Sequence, residues 1–204
     1  SKFITNTMFK QESIEGYPDL KIHIYEVTED VSQLNNWFES CMEDIEWVEG
    51  TIKIFGKEHK IPRLQAWYAD QNINYSYSGK KLVRNNWNNV LKDIKNNVEL
   101  ITSTKFNSVL GNLYRNGSDS MGLHSDDEKE LGNEPVIASF SLGEERDISF
   151  KHKIKEIKFS IPQENGKLIV MSGPTQQYWK HEVKKTKIFK KPRINLTFRN
   201  IITP

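Results

Sequence analysis

The chain has 204 residues and a mass of 23.8 kDa, with 36% hydrophobic and 27% charged residues and a mean hydropathy of −0.66, which excludes a disordered chain and gives length for one domain with a sizeable core. No apolar run approaches the roughly 20 residues of a membrane helix, and the first residues lack a signal-peptide apolar region. The single cysteine, Cys41, excludes an intramolecular disulfide, so a non-membrane, intracellular setting is expected. The net charge of +2 selects no partner by itself, but lysines cluster from Lys180 to Lys191 and again at Lys53, Lys57 and Lys60 with Arg63. Such clusters can neutralise phosphates or form an ordinary solvated face.

The first element in chain order is a helix. Leu34, Trp37, Phe38, Cys41, Met42 and Ile45 fall at helical spacing, with Thr28 as a cap ahead of Glu29 and Asp30. Residues 1–50 are therefore expected to form a helical extension packed on the rest. Ile52 and Ile54 then alternate into Phe55-Gly56, a hairpin edge or an ordinary β-turn. A second helix is marked by Trp87, Val90, Leu91, Ile94 and Val98.

From Phe106 onward the period changes to two. Asn112 and Tyr114 share a face around Leu113; Ile137, Ser139 and Ser141 alternate with Ala138, Phe140 and Leu142; and Leu168 to Met171 is a short apolar strand. Turn signals at Asn116-Gly117, Gly132-Asn133, Asn165-Gly166 and Ser172-Gly173-Pro174 separate these runs. The expectation is a single domain over 1–204, mainly β with flanking helices (α+β), whose core at 106–202 is an antiparallel sandwich or jelly roll.

Two motifs carry chemistry. In an extended strand the side chains of His124 and Asp126 point the same way, with Cα atoms about 6.6 Å apart. With the distant His181 they make a two-histidine, one-carboxylate set that holds one face of Fe(II) and leaves positions open for O2 and a cosubstrate. In the run Pro192 to Arg199, the same alternation puts Arg193, Asn195, Thr197 and Arg199 on one face and Ile194, Leu196 and Phe198 on the other. Two arginines on the inward face of a buried strand need an anion, and guanidinium matches a carboxylate fork. The two motifs together read as a site for Fe(II) and 2-oxoglutarate. A zinc hydrolase could use the same three ligands, but it would have no use for the arginine strand. A protein or small-molecule hydroxylase and a non-catalytic nucleic-acid binding module are the other readings. His23, His59 and His152 have no comparable company and are expected at the surface.

These residues resemble the AlkB-type nucleic-acid dealkylases, in the animal-type branch. The resemblance runs through Ile61-Pro62-Arg63, Trp67-Tyr68, Tyr75-Ser76-Tyr77-Ser78-Gly79, Phe106-Asn107, Asn112-Leu113-Tyr114 and His124-Ser125-Asp126-Asp127-Glu128. It continues through Ile137-Ala138-Ser139, Ser141-Leu142-Gly143, Arg146, His181 and the arginine strand, and covers about residues 50–202 in order. It implies a double-stranded β-helix and oxidative removal of alkyl groups from bases of the 1-methyladenine and 3-methylcytosine type in DNA, with RNA as an alternative. The products would be formaldehyde, succinate and CO2, and the enzyme a monomer. By the same resemblance His124, Asp126 and His181 are the metal ligands. Asn112, Tyr114, Ser139, Arg193, Asn195, Thr197 and Arg199 are the 2-oxoglutarate contacts. Residues 51–80 form a nucleotide-recognition lid in which Tyr75, Tyr77, Ser78 and Arg63 meet the substrate. Asp127 and Glu128 read the base edge, and Phe55 stands where duplex-acting relatives carry a wedge.

Overall fold

The computed structural model describes residues 11–77 and 80–202, without the side chains of Tyr77, Lys80 and Lys81. Its strands are β1 (Gln11–Ser13), β2 (Lys21–Glu26), β3 (Val48–Ile54), β4 (Lys57–Ala69), β5 (Ser76–Tyr77), β6 (Lys80–Lys81), β7 (Arg84–Asn85) and β8 (Ser108–Tyr114), followed by β9 (Met121–His124), β10 (Ile137–Gly143), β11 (Arg146–His152), β12 (Lys158–Gln163), β13 (Lys167–Ser172), β14 (Trp179–Val183) and β15 (Arg193–Arg199). The helices are α1 (Val31–Asp44), α2 (Asn89–Thr102) and the short α3 (Thr175–Tyr178).

The larger sheet has the order β1-β2-β13-β10-β15-β8-β4-β3, with β7 added in parallel beside β4. The smaller sheet runs β12-β11-β14-β9, and β5 pairs with β6. The two-residue period explains the layers. Ile194, Leu196 and Phe198 of β15, with Ala138, Phe140 and Leu142 of β10, join Leu34, Trp37 and Cys41 of α1 and Leu91, Ile94 and Val98 of α2 in one buried cluster. The opposite face of the larger sheet supplies Trp67, Leu110, Ile137, Ile169 and Met171 to a second cluster, where they meet Ile148, Phe150, Ile161 and Trp179 of the smaller sheet. Helices, larger sheet and smaller sheet are thus stacked as three layers, a strand-dominated α+β arrangement.

Local structure departs from the sequence expectations in several places, each with a physical reason. The cap of α1 is Asp30, not Thr28. Asp30 Oδ1 accepts from the amides of Ser32 and Gln33 at 3.0 and 3.3 Å, and a carboxylate suits the positive end of a helix better than a hydroxyl does. Thr28 Oγ1 instead accepts from Asp30 N at 3.1 Å. Trp87 lies ahead of α2, because Asn88 caps that helix by accepting from Leu91 N at 2.9 Å; the Trp87 indole donates to Asp70.

Residues 11–50 contain more than a helix. Strand β2 pairs along the whole of β13 as part of the larger sheet. Strand β4, which begins in the stretch expected as a lid, becomes an inner strand from about Leu64 onward, with β8 on one side and β3 and then β7 on the other. His152 is buried rather than exposed: its Nε2 lies 3.0 Å from Asp19 Oδ2, and its Nδ1 accepts from the amides of Ile154 and Lys155. The alternation of β11 carries it inward with Ile148 and Phe150, and those three bonds satisfy it there.

No described helix is long and apolar enough to cross a membrane.

Candidate metal and cosubstrate site

The second cluster opens into a cavity between the sheets. Strand β9 ends at His124, so Asp126 reaches the cavity from the turn beyond the strand rather than from the strand itself. That turn is pinned on both sides. Ser125 Oγ donates to Trp179 O at 2.8 Å, and Asp126 N donates to Gln176 Oε1 of α3 at 2.8 Å. His181 stands on β14 directly opposite His124 in the strand register, with ring centroids 4.4 Å apart. The donor atoms of His124, Asp126 and His181 all lie within 4.8 Å of one another, compact enough to share one ion.

The protonation pattern suits ligation. His124 Nδ1 donates to Gly122 O at 2.8 Å, which leaves Nε2 as the electron-pair donor, the arrangement that orients metal-binding imidazoles. Burial pushes His181 down to about 3, and the neighbouring His124 and Arg199 act in the same direction, so its ring is neutral at physiological pH. Burial works against ionisation of Asp126, but Arg199, whose Nη2 donates to Oδ1 at 2.8 Å, acts with His181 and His124 to outweigh it and hold the carboxyl well below the usual range. Asp126 Oδ2 is buried without a hydrogen-bond partner. An anionic oxygen in that state is stable only beside a cation, so the donor set fits a divalent metal.

The residues expected to contact the cosubstrate lie on adjacent strands of the larger sheet. In the register of β8, β15 and β10, Tyr114 stands opposite Arg193, Asn112 opposite Asn195, and Ser139 opposite Thr197. All six line the same cavity as the three metal ligands and Arg199. Asn195 Nδ2 donates to Ser139 Oγ at 2.8 Å, and Thr197 Oγ1 donates to Asn195 Oδ1 at 2.8 Å. Asn112 Oδ1 accepts from Arg63 Nε at 2.9 Å and Gln65 Nε2 at 3.1 Å.

Arg193 is fully buried, with its guanidinium 5.0 Å from the Tyr114 ring. Nη2 donates to Ser141 Oγ and Gln163 Oε1, while Nε and Nη1 are buried without partners. Burial pushes this guanidinium down to about 10, with the charge of Arg146 adding to the effect. Two unpaired donors on a buried cation call for an anion, so the residues present fit the carboxylate of 2-oxoglutarate as well as a metal.

The residues expected to touch the substrate are more dispersed. Tyr75 is buried, its ring tilted against Trp67 at 6.1 Å. Burial raises its phenol above the usual range, with Glu128 among the charges that add to this, and burial likewise raises Glu128. Asp127 is exposed and pairs with Lys153 at 3.6 Å. Arg63 is buried and directs its guanidinium at Asn112 and, at 3.0 Å, at Ser120 O. Phe55 is fully exposed at the tip of the β3–β4 hairpin. Ser78 and the Tyr77 side chain lie outside the described residues.

Sequence reasoning missed Gln163 as a site residue, although it lines the cavity; the available signal was a polar residue in the inward row Phe159, Ile161, Gln163 of β12. Gln176 gave no signal, because its contact with Asp126 spans 50 residues.

Residues 22–199 match the family described as the 2OG-Fe(II) oxygenase superfamily. The chain is 38% identical over 176 residues to the DNA oxidative demethylase ALKBH2 of Homo sapiens, covering 81% of this chain and 67% of that protein. It is 36% identical over 193 residues to the human alpha-ketoglutarate-dependent dioxygenase alkB homolog 3, covering 89% and 66%. The chain therefore spans about two thirds of the length of these relatives. The solved structure described as "The structure of OsALKBH1" superposes with a TM-score of 0.64 over 93% of this chain and 100% of that chain at 15% identity, a likeness of fold.

Proposed function

We propose that this chain, which belongs to the AlkB-type branch of the 2OG-Fe(II) oxygenase superfamily, oxidatively removes alkyl groups from N-alkylated bases of DNA, as a monomer. The observation that carries the reading is the convergence, in one buried cavity, of His124, Asp126 and His181 with an arginine whose Nε and Nη1 lack partners. We read the two facing sheets as the halves of a double-stranded β-helix, with the cavity at the mouth between them.

His124, Asp126 and His181 would hold Fe(II), and Arg193 would anchor the far carboxylate of 2-oxoglutarate beside Asn112, Tyr114 and Asn195. When bound, iron with 2-oxoglutarate and O2 supplies the oxidising power that side chains lack, turning an N-methyl group into a hydroxymethyl group that leaves as formaldehyde, with succinate and CO2 as co-products. The protein's own part is to orient and exclude water. Arg199 keeps Asp126 anionic, and Gln176 holds the turn that carries it. Asp127 and Glu128 follow the ligand turn, where their carboxylates favour a base made cationic by methylation at adenine N1 or cytosine N3. Such a base no longer pairs, so it leaves the stack at the lowest cost.

The hairpin tip supports a duplex substrate. Ile54 pairs with Lys57, so the loop is Phe55-Gly56, with φ of 49° and 76°. A loop with both φ positive favours Asn-Gly, and a bulky residue there is strained by about 1–2 kcal/mol. Strain held at an exposed aromatic is consistent with a wedge that fills the gap left by an extruded base. Replacing it, Phe55→Asn, should leave the hairpin as stable or more so while duplex repair falls at least tenfold and single-strand repair changes little. Equal losses on both substrates would remove the wedge.

The test of the main reading is release of formaldehyde and succinate from an oligonucleotide carrying 1-methyladenine or 3-methylcytosine, with Fe(II), ascorbate and 2-oxoglutarate, against His124→Ala. Base repair that needs every component and vanishes in the variant is expected. Succinate without base repair would assign the site to another substrate, and no succinate at all would overturn the reading.

A further inference from the structure

Gln163 occupies an inward position on β12 that its neighbours Phe159 and Ile161 fill with apolar side chains, and it is 1% exposed. A buried carboxamide is retained only where both ends are bonded. Its Oε1 accepts from Arg193 Nη2, and its Nε2 donates to Ser139 Oγ at 3.3 Å. The amide nitrogen carries two protons, so one is left uncommitted on a side chain that helps to line the cavity.

The state of Arg193 gives that proton a use. Both protons of Nη2 are committed, one to Ser141 Oγ at 3.0 Å and one to Gln163. The donors that remain are Nε and Nη1. They do not lie on a common edge of the guanidinium plane, because each two-pronged edge of that group includes Nη2. A carboxylate arriving here cannot be gripped by two parallel bonds from Arg193 alone; one of its oxygens must find a donor elsewhere on the wall. Gln163 Nε2 belongs to the carboxamide already bonded to Nη2 and is, with Tyr114, a neighbouring donor on that wall. Ser139, Gln163 and Arg193 are linked through one chain of hydrogen bonds, so the carboxamide cannot turn without disturbing the arginine.

We propose that Gln163 is a specificity-determining residue for the dicarboxylate cosubstrate: its carboxamide closes the far end of the pocket, orients Arg193 and supplies the second donor to the distal carboxylate, so that chain length is measured from the metal ligands to Gln163. The inference rests on the reading of this cavity as a 2-oxoglutarate site.

Two replacements act in opposite ways. Gln163→Ala removes the end wall and the donor, making room for one more methylene. Gln163→Glu places an internal carboxylate on Arg193, which keeps the cluster paired and folded but fills the anion site.

The experiment uses the full chain loaded with Mn(II), which permits binding without turnover, and titrates 2-oxoglutarate and its longer homologue 2-oxoadipate by calorimetry, with Mn(II) affinity measured separately. One methylene is discriminated by about 10–200-fold in a shaped pocket. Wild type should prefer 2-oxoglutarate within that range. Gln163→Ala should cut the preference at least tenfold, and Gln163→Glu should weaken 2-oxoglutarate about 100-fold or more, both with Mn(II) affinity unchanged. In turnover with Fe(II), Gln163→Ala should raise the KM for 2-oxoglutarate far more than it lowers kcat.

Unchanged dicarboxylate affinity and preference in both variants would overturn the inference while leaving the cosubstrate reading intact. Loss of Mn(II) binding in step with 2-oxoglutarate would also overturn it, since the residue would then be a general support of the fold. Failure of wild type to bind either dicarboxylate would overturn the reading of the cavity itself, and the inference with it.

Discussion

Burial pushes the Cys41 thiol up from 9.0 to about 12, and the charge of Asp44 adds to the effect. The side chain has no exposed surface, so the thiol should be inert to a disulfide reagent at pH 8 in the folded protein and react fully once it is unfolded. The same shift links stability to pH. Between 9.0 and about 12 the folded chain binds the proton more tightly than the unfolded one, so the contribution is whole below pH 9 and is lost as pH rises through that window. Chemical denaturation across this range should show a steeper decline for the wild type than for Cys41→Ala. At the same scale, the metal ligands were legible because few other tasks call for two histidines and an aspartate in this spacing. The burial of His152 was not legible, since its partner Asp19 is 133 residues away.

Strand β15 is the element whose role was plainest in sequence, because its alternation of Arg, Asn, Thr and Arg with Ile, Leu and Phe is strict. Both faces are buried in the structure, one in the helix-side cluster and the other along the cavity. Its position depends on a glycine. Gly143 ends β10 opposite Arg193 with φ of 87°, and a Cβ there would lie 2.6 Å from Pro192 O and 2.7 Å from the Phe38 ring. Neither the positive φ nor the backbone oxygen can yield cheaply. Gly143→Ala should therefore lower stability by about 1–3 kcal/mol and weaken 2-oxoglutarate binding more than metal binding, because the strand start that carries Arg193 is displaced. A normal melting temperature in that variant would contradict the packing argument. Helix starts were less legible: Thr28 and Asp30 are both good caps, and only the course of the backbone shows which one meets free amides.

At the scale of the whole molecule, the cavity is built from buried groups that are unpaired by themselves, Asp126 Oδ2 and Arg193 Nε and Nη1. Ligands that pair them stabilise the folded state through mass action, by about 2.7 kcal/mol at 100 times Kd. For a chain of this size that is a rise in melting temperature of roughly 5–10 °C. Mn(II) with 2-oxoglutarate should give such a rise, Mn(II) alone a smaller one, and a chelator should reverse both; no shift with either would contradict the polar logic of the cavity.

The sequence alone determined the residue types of the site, the alternation that sorts them onto faces, and the strand-rich class, because these depend on local periodicity and on chemistry that few side chains perform. Only the tertiary structure decided that β2 completes the larger sheet, that Asp126 lies beyond its strand, that Arg63 supports Asn112, and that Gln163 and Gln176 belong to the site. Each of these rests on contacts between segments far apart in the chain, and hydrogen bonds across such distances leave no periodic trace in either partner.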